Sequence, residues 1–338
     1  MVASIEIKPA PGGQATLEVE QVAGESTVTS AFATSPLKLL TPRARGQSAW
    51  AFTSSFGGGL VAGDQTRLDL RLGVGTRCFV GTQASTKIYR NPSRRPCSHV
   101  TQATLEAGSL LVFAPDPVQP FAHSTYVQRQ VFHLRPGAGL VLVDWFCAGR
   151  AARGERWAFT RFQSRNEVWS TPDQAPSPPS NREEGRGEEA RRGLGFPNKL
   201  APLSGSLPTR SSRGERDHGP SVLAFSTHET ERVFLDSLLL DSADGSLGGP
   251  HRTGRFNCFA LLVLLGAPVR QIAAQVLETV SRQPITRGEA LLFSASPVSD
   301  GALLRVAGET VERVGRELRR HLAPLSEILG DDPWSRKW

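Results

Sequence analysis

Three stretches repeat one order of apolar and polar positions. Leu72-Gly73-Val74-Gly75-Thr76-Arg77-Cys78-Phe79-Val80 compares with Leu105-Glu106-Ala107-Gly108-Ser109-Leu110-Leu111-Val112-Phe113, and both compare with Leu134-Arg135-Pro136-Gly137-Ala138-Gly139-Leu140-Val141-Leu142-Val143. Each unit is an apolar residue, a tight glycine turn and then a continuous apolar run of buried-strand type. Alignment on Gly75, Gly108 and Gly139 gives spacings of 33 and 31 residues. Such a period predicts stacked supersecondary units, each burying a face against its neighbour. An ordinary antiparallel meander with similar turns is the alternative. Further strands are predicted at Trp157–Trp169 and Ser221–Leu240.

Helical periodicity enters only late. Val269, Ile272, Val276 and Val280 form one stripe within Pro268–Gln283, with Pro268 suited to a first turn. Val311, Val314, Leu318, Leu322 and Leu325 form another within Glu309–Leu329, where Pro324 should break or kink the helix. The predicted fold is mainly β, a β-helix-like (helicoid) stack of strands carrying two α-helices near its C-terminus.

Between these halves lies 172–219, with Ala175-Pro176-Ser177-Pro178-Pro179-Ser180, paired glutamates and paired arginines. It has too few apolar residues to offset the entropy of ordering, so it is predicted to be a disordered, low-complexity surface insertion. The expected organisation is one β-rich domain made of 1–171 and 220–338, interrupted by 172–219.

The formal charge of the 338 residues is +7. The arginines are not gathered into a stripe interleaved with aromatics, which argues against a nucleic-acid binder. Cys78, Cys97, Cys147 and Cys258 are widely spaced with no C-x-x-C, and the longest apolar run, Phe256–Ala267, is too short to span a bilayer. The N-terminal residues lack the apolar core of a signal peptide. A soluble, cytoplasmic protein with reduced thiols is expected.

Ser54-Ser55-Phe56-Gly57-Gly58-Gly59-Leu60-Val61-Ala62-Gly63-Asp64 is the densest glycine block. No Gly-Lys-Ser/Thr follows and the next element reads as a strand, so a phosphate loop fits poorly and a cramped turn presenting Asp64 fits better. Seven histidines form no H-x-H or H-E-x-x-H pair, and G-x-S-x-G is absent. His123 stands out by following a Pro-bounded strand. Asp144, inside Val141-Leu142-Val143-Asp144-Trp145-Phe146, needs a partner or water. Either Asp144 and Glu155 pair with Arg150 or Arg153 to fix a loop, or these groups line a hydrated passage.

In order along the chain, Ser35–Pro42, Gly57–Asp64, Thr82-Gln83-Ala84-Ser85-Thr86-Lys87-Ile88-Tyr89-Arg90, Pro120-Phe121-Ala122, Gly149-Arg150 through Gly154-Glu155, and Gly330–Trp338 resemble the urease accessory protein UreD (UreH) family. The resemblance covers nearly everything outside 172–219. It implies a β-helix-like body and a non-enzymatic scaffold or chaperone. Such a scaffold binds UreF, reaches the GTPase UreG through UreF, and docks on apo-urease for nickel insertion. It further implies a cytoplasmic protein with no tightly bound cofactor, nickel held only in transit, no nucleic-acid or membrane partner, and a dimer of UreD–UreF heterodimers. The C-terminal helix and tail are the expected UreF surface.

By motif position the resemblance points to Asp64, Asp144, Glu155 and Glu167 as a transient nickel path. It points to Gly57, Gly58, Gly59, Gly63, Ser85, Lys87 and Arg150 as tunnel-lining or supporting residues. Oxygen ligands suit a metal that must be released, whereas a His/Cys cluster would trap it. The alternative is a β-helix polysaccharide lyase or hydrolase using Lys87, Asp144 and Arg150 for acid/base chemistry.

Overall fold

Successive coils of the chain lay their strands side by side in three sheets. The coils begin with β1 (Gly13–Val22), β2 (Glu25–Ala33), β3 (Leu37–Leu40), β4 (Ala49–Ser55) and β5 (Gly59–Leu60). They continue with β6 (Gln65–Leu72), β7 (Arg77–Thr82) and β8 (Lys87–Ile88), then β9 (Cys97–Leu105), β10 (Leu110–Phe113) and β11 (Gln119–Pro120). After these come β12 (Thr125–Leu134), β13 (Gly139–Cys147), β14 (Arg161–Ser170) and β15 (Glu231–Asp241). The last strands are β16 (Cys258–Leu265), β17 (Leu291–Val298) and β18 (Gly301–Gly308).

This computed structural model describes residues 12–43, 46–91, 93, 95–171 and 230–336. They belong to one unit, Met1–Pro172 with Glu229–Trp338. The predicted insertion at 172–219, the strand residues 221–229, and Lys337 and Trp338 lie outside the described residues.

The first sheet runs β15-β14-β12-β9-β6-β1-β2, the second β17-β18-β16-β13-β10-β7-β4-β3, and the third β11-β8-β5. The central pairings of all three are parallel, and antiparallel strands close the edges of the first two. The repeats are in register: Leu105 sits between Leu72 and Leu134, and Leu110 between Arg77 and Gly139. Stacked coils, rather than a meander, result.

One glycine of the sequence alignment is displaced. The left-handed turn residues that stack are Gly75, Gly108 and Gly137, with φ of 67°, 67° and 73°. Gly75 N–H donates to Ala107 O and Gly108 N–H to Pro136 O. Gly139 already belongs to β13; a Cβ there would meet Pro268 Cδ at 2.9 Å, so it is small to let the chain entering the next helix approach.

Between the first two sheets, Leu17, Leu70, Leu105, Phe132 and Val168 pack against Ala51, Val80, Leu111, Leu140 and Leu142. The second sheet's outer face is covered by α1 (Arg270–Ser281), α2 (Val311–Leu322) and α3 (Leu325–Leu329). Ile272, Val276, Val280, Val314, Leu318, Leu322 and Leu325 are all buried there, as the helical stripes predict. Truncating one such leucine to alanine costs about 2–5 kcal/mol. Val269 and Pro268 fall in a 3-10 turn ahead of α1, and Pro324 separates α2 from α3. The strand predicted from Trp157 starts only at Arg161, because Trp157 adopts a turn with φ of 54°.

Candidate functional site

The four central signature segments meet along the short third sheet. Gly57 and Gly58 turn with φ of 73° and 72°, and Gly59 then pairs with Lys87. The Gly59 backbone is extended, so its requirement is space: a Cβ would lie 2.3 Å from Lys87 O. Tyr89 donates from its hydroxyl to Gly57 O at 2.7 Å and meets Phe121 edge-on with centroids 5.4 Å apart. Arg150 lies over the Phe121 ring at 4.3 Å and grips Glu155, with Arg150 Nε donating to Glu155 Oε2 at 2.9 Å and a second bond from NH2 to Oε1. Glu155 Oε2 also accepts from Ala122 N–H at 3.3 Å. The Arg150 hydrogen bonds hold the Glu155 carboxyl below its usual range.

Asp64 is occupied by its own turn. Its Oδ2 accepts from Val61 N–H at 2.9 Å, its N–H donates to Val61 O, and its carbonyl accepts from Ser98 N–H. Gly63 supplies the positive φ of 87° that this turn requires. Glu155 and Asp64 thus fix backbone corners on the third-sheet side. The loop-pairing alternative holds for Glu155 with Arg150, but Asp144 pairs with neither Arg150 nor Arg153.

Asp144 points between the two large sheets and meets only neutral donors. Gln128 Nε2 donates to its Oδ1 at 2.9 Å, while Ser164 Oγ and Asn166 Nδ2 donate to Oδ2 at 2.7 and 2.8 Å. Burial pushes this carboxyl above the ordinary range, an effect opposed by these three donors and reinforced by Asp236. Its partners belong to a wider polar row. Thr66, His99, Gln128 and Ser164 stand in register on the inward face of β6, β9, β12 and β14. Thr101, Gln130 and Asn166 form the neighbouring row, in which Gln130 Nε2 donates to Asn166 Oδ1 at 2.8 Å.

His99 is braced between Thr66 Oγ1, 2.8 Å from Nδ1, and Thr101 Oγ1, 3.1 Å from Nε2. Burial lowers its pKa to about 4, so the ring is neutral at neutral pH. A cavity of about 90 Å³ follows the row, with Ser55, Ser85, Thr66, His99, Gln128 and Asp144 among its walls. A wider pocket of about 690 Å³, lined in part by Ser164, Asp236, Phe259, Phe293 and Arg305, also reaches Asp144. Asp144 therefore borders both spaces.

The remaining predicted residues separate. Ser85 is on the cavity wall, and half-buried Lys87 is on β8. Glu167 alternates with the inward Asn166 and faces the other side of the sheet. There Arg129 and Arg165 reach Glu167 Oε1 at 3.1 and 2.9 Å. Burial raises the Glu167 pKa, but the two arginines outweigh it and hold the carboxyl low. Glu167 thus does not face the inter-sheet cavity, because strand alternation turns it outward. His123 is an exposed turn residue. Lys87, Asp144 and Arg150, needed together by the acid/base alternative, sit on different elements.

Thr66, His99, Thr101, Gln128, Gln130, Ser164 and Asn166 escape the sequence reading. A signal was present: counted back six residues from the repeat positions Leu72, Leu105 and Leu134 stand Thr66, His99 and Gln128, polar each time at an inward phase.

The family model of the UreD urease accessory protein matches residues 12–196 and 223–338. The chain belongs to the UreD family. It is 41% identical over 329 residues to the urease accessory protein UreD of Sorangium cellulosum (strain So ce56), covering 96% of this chain and 84% of that one. With the urease accessory protein UreD of Anaeromyxobacter sp. (strain Fw109-5) it shares 34% over 324 residues, 96% of this chain and 89% of the relative. With urease accessory protein D of Arabidopsis thaliana it shares 28% over 346 residues, 94% and 98%. The UreD match includes every signature segment and both polar rows, and leaves out only 197–222 between its two blocks. Among the described residues, no helix is long and apolar enough to cross a membrane.

Proposed function

We propose that this UreD-family chain is a non-catalytic scaffold of urease maturation, a cytoplasmic chaperone that conducts nickel. It binds UreF, reaches UreG through UreF, and docks on apo-urease, where nickel is delivered for GTP-dependent metallocentre assembly. Two heterodimers with UreF pair into the working assembly. Family membership supports the accessory role, and the observation that carries the conducting role is Asp144, shared by the internal cavity and the wider pocket.

The chemistry fits a cargo rather than a resident ion. Hydroxyl and carboxamide oxygens offer weak contacts to a divalent ion, and Asp144 supplies one negative charge where the two spaces meet. The neutral His99 ring, with both nitrogens engaged by Thr66 and Thr101, braces the row. Successive weak donors let an ion move on. Asp64, Glu155 and the glycines act one step removed, by holding the third-sheet corners against which Ser85 and the passage wall are built.

The test is Asp144→Asn, which keeps the shape and removes the charge. The UreF complex should persist while nickel in urease and urease activity fall. Full nickel loading by the variant would refute the conducting role. Full loading in a strain lacking the gene would refute the accessory role itself.

A further inference from the structure

Two cysteines come together where β13 ends and β16 begins. Cys147 is the last residue of β13, Cys258 is the first of β16, and they stand directly opposite in the antiparallel pairing. The other two thiols are elsewhere: Cys78 lies in the core between the large sheets, and Cys97 packs in a separate cluster with Leu60 and Ile88. The neighbouring hydrogen bond fixes the kind of pair. Ala148 N–H donates to Asn257 O at 2.7 Å, joining the residue after Cys147 to the residue before Cys258. In an antiparallel ladder such a bond flanks a non-hydrogen-bonded pair, the type with closer side chains and Cα atoms about 4.5 Å apart. A disulfide spans Cα separations of roughly 4.4–6.8 Å, so this backbone already meets its requirement.

Both side chains point to the same side of the second sheet, into the apolar layer beneath α1 and α2. Burial raises both thiols; at Cys258 the neighbouring Cys147 adds to this, whereas at Cys147 the Gly149 N–H opposes it. Either cysteine alone is accounted for as a small buried hydrophobe. That reading gives no reason for two sulfurs in register at a pair whose geometry admits a bond.

We propose that Cys147 and Cys258 are a modification site, forming a reversible cross-strand disulfide when the protein meets a hydroperoxide. The site is independent of the accessory reading. The Cys147 thiolate attacks the terminal peroxide oxygen. Its S–O bond forms as the O–O bond breaks, and the departing oxygen takes the thiol's proton and leaves as water or an alcohol. The Cys258 sulfur then attacks the Cys147 sulfenic acid: S–S forms, S–O breaks, and the hydroxyl leaves as water with the Cys258 proton. Two thiols are oxidised by two electrons and one peroxide is reduced. Cys147 attacks first because the Gly149 N–H favours its anion. Access comes from the position of the pair at the end of the β13–β16 ladder, since ladder ends open before their centres. The bond staples β13, which carries Asp144, to β16 in the wall of the wider pocket.

The test uses the whole chain, reduced with dithiothreitol, freed of it and exposed to hydrogen peroxide at neutral pH. Remaining thiols are blocked in urea and the protein is mapped by mass spectrometry. The expected result is one linked peptide pair, Cys147 with Cys258, that dithiothreitol separates, while Cys78 and Cys97 are recovered blocked. The bond closes a loop of roughly 110 residues, so the melting midpoint should rise by about 5 °C and return on reduction. Cys258→Ala should abolish both the link and the rise, and Cys78→Ala should leave both. The mapping is made on the wild-type chain, so it decides the question even where a variant folds poorly. Four free thiols after treatment would overturn the proposal. So would links that involve Cys78 or Cys97 or join two chains, or a Cys147–Cys258 link formed only when oxidation is carried out in urea.

Discussion

Gly59→Ala is the sharpest probe of the glycine signature, because two physical reasons for glycine lie side by side in it. At Gly59 the backbone is extended, but an added methyl carbon would sit 2.3 Å from Lys87 O and 2.9 Å from both Lys87 Cβ and Tyr89 Cε2. Relief requires β5 and β8 to part by roughly 1 Å, given that non-bonded heavy atoms settle near 3.5 Å. That movement strains the Tyr89 N–H to Leu60 O bond, 2.9 Å long, and the Tyr89–Phe121 contact below it. Overpacking of about 1–3 kcal/mol and a weakened hydrogen bond of about 1 kcal/mol sum to roughly 3 kcal/mol. At Gly57 nothing lies within 4 Å of the added carbon, so Gly57→Ala bears only the left-handed φ, about 1–2 kcal/mol. For a chain of 338 residues, 1 kcal/mol moves the melting midpoint by about 1.5 °C. Thermal and urea unfolding of the purified variants should therefore separate them, with Gly59→Ala shifted about twice as far or more. Equal shifts, or a Gly59→Ala loss below about 1 kcal/mol, would refute the spatial argument.

Two further outcomes follow from burial. Because the Asp144 carboxyl is raised, the native state holds its proton more tightly than the unfolded chain does. Wild-type stability relative to Asp144→Asn should then fall as pH rises from the ordinary carboxylate range through the raised native value, and level off above it. Urea midpoints measured from about pH 4 to about pH 8 check the sign, and a pH-independent difference would contradict it. All four thiols are buried, with Cys78 and Cys97 pushed up to about 12 and Cys147 and Cys258 also raised. Ellman's reagent should find no fast-reacting thiol in the native protein and four in urea; one rapid native thiol would show a site more open than described.

The legible parts of the fold were those encoded locally. Both helical stripes and the break at Pro324 depend on residues three or four apart, and the coils announced themselves through a recurring leucine, turn and apolar run. Gly137 and Gly139 were indistinguishable by identity, since both flank the same turn; Pro268, far along the chain, determines why the second must be small. Asp144 was singled out correctly as a carboxylate in need of partners, yet the nearby arginines were the wrong candidates. Its actual donors come from β12 and β14, brought opposite by the stacking of sheets. Glu167 shows the complementary failure: motif position says nothing of which side of a strand a residue takes.

The in-register stacking of parallel coils has a consequence for scale. A polar choice made once per coil at a fixed phase becomes a staircase from Thr66 through His99 and Gln128 to Ser164, with treads about 4.8 Å apart. The length of that staircase is counted in coils. Adding or deleting one whole coil would change the length of the row by a single tread and leave the chemistry of every other tread as it was.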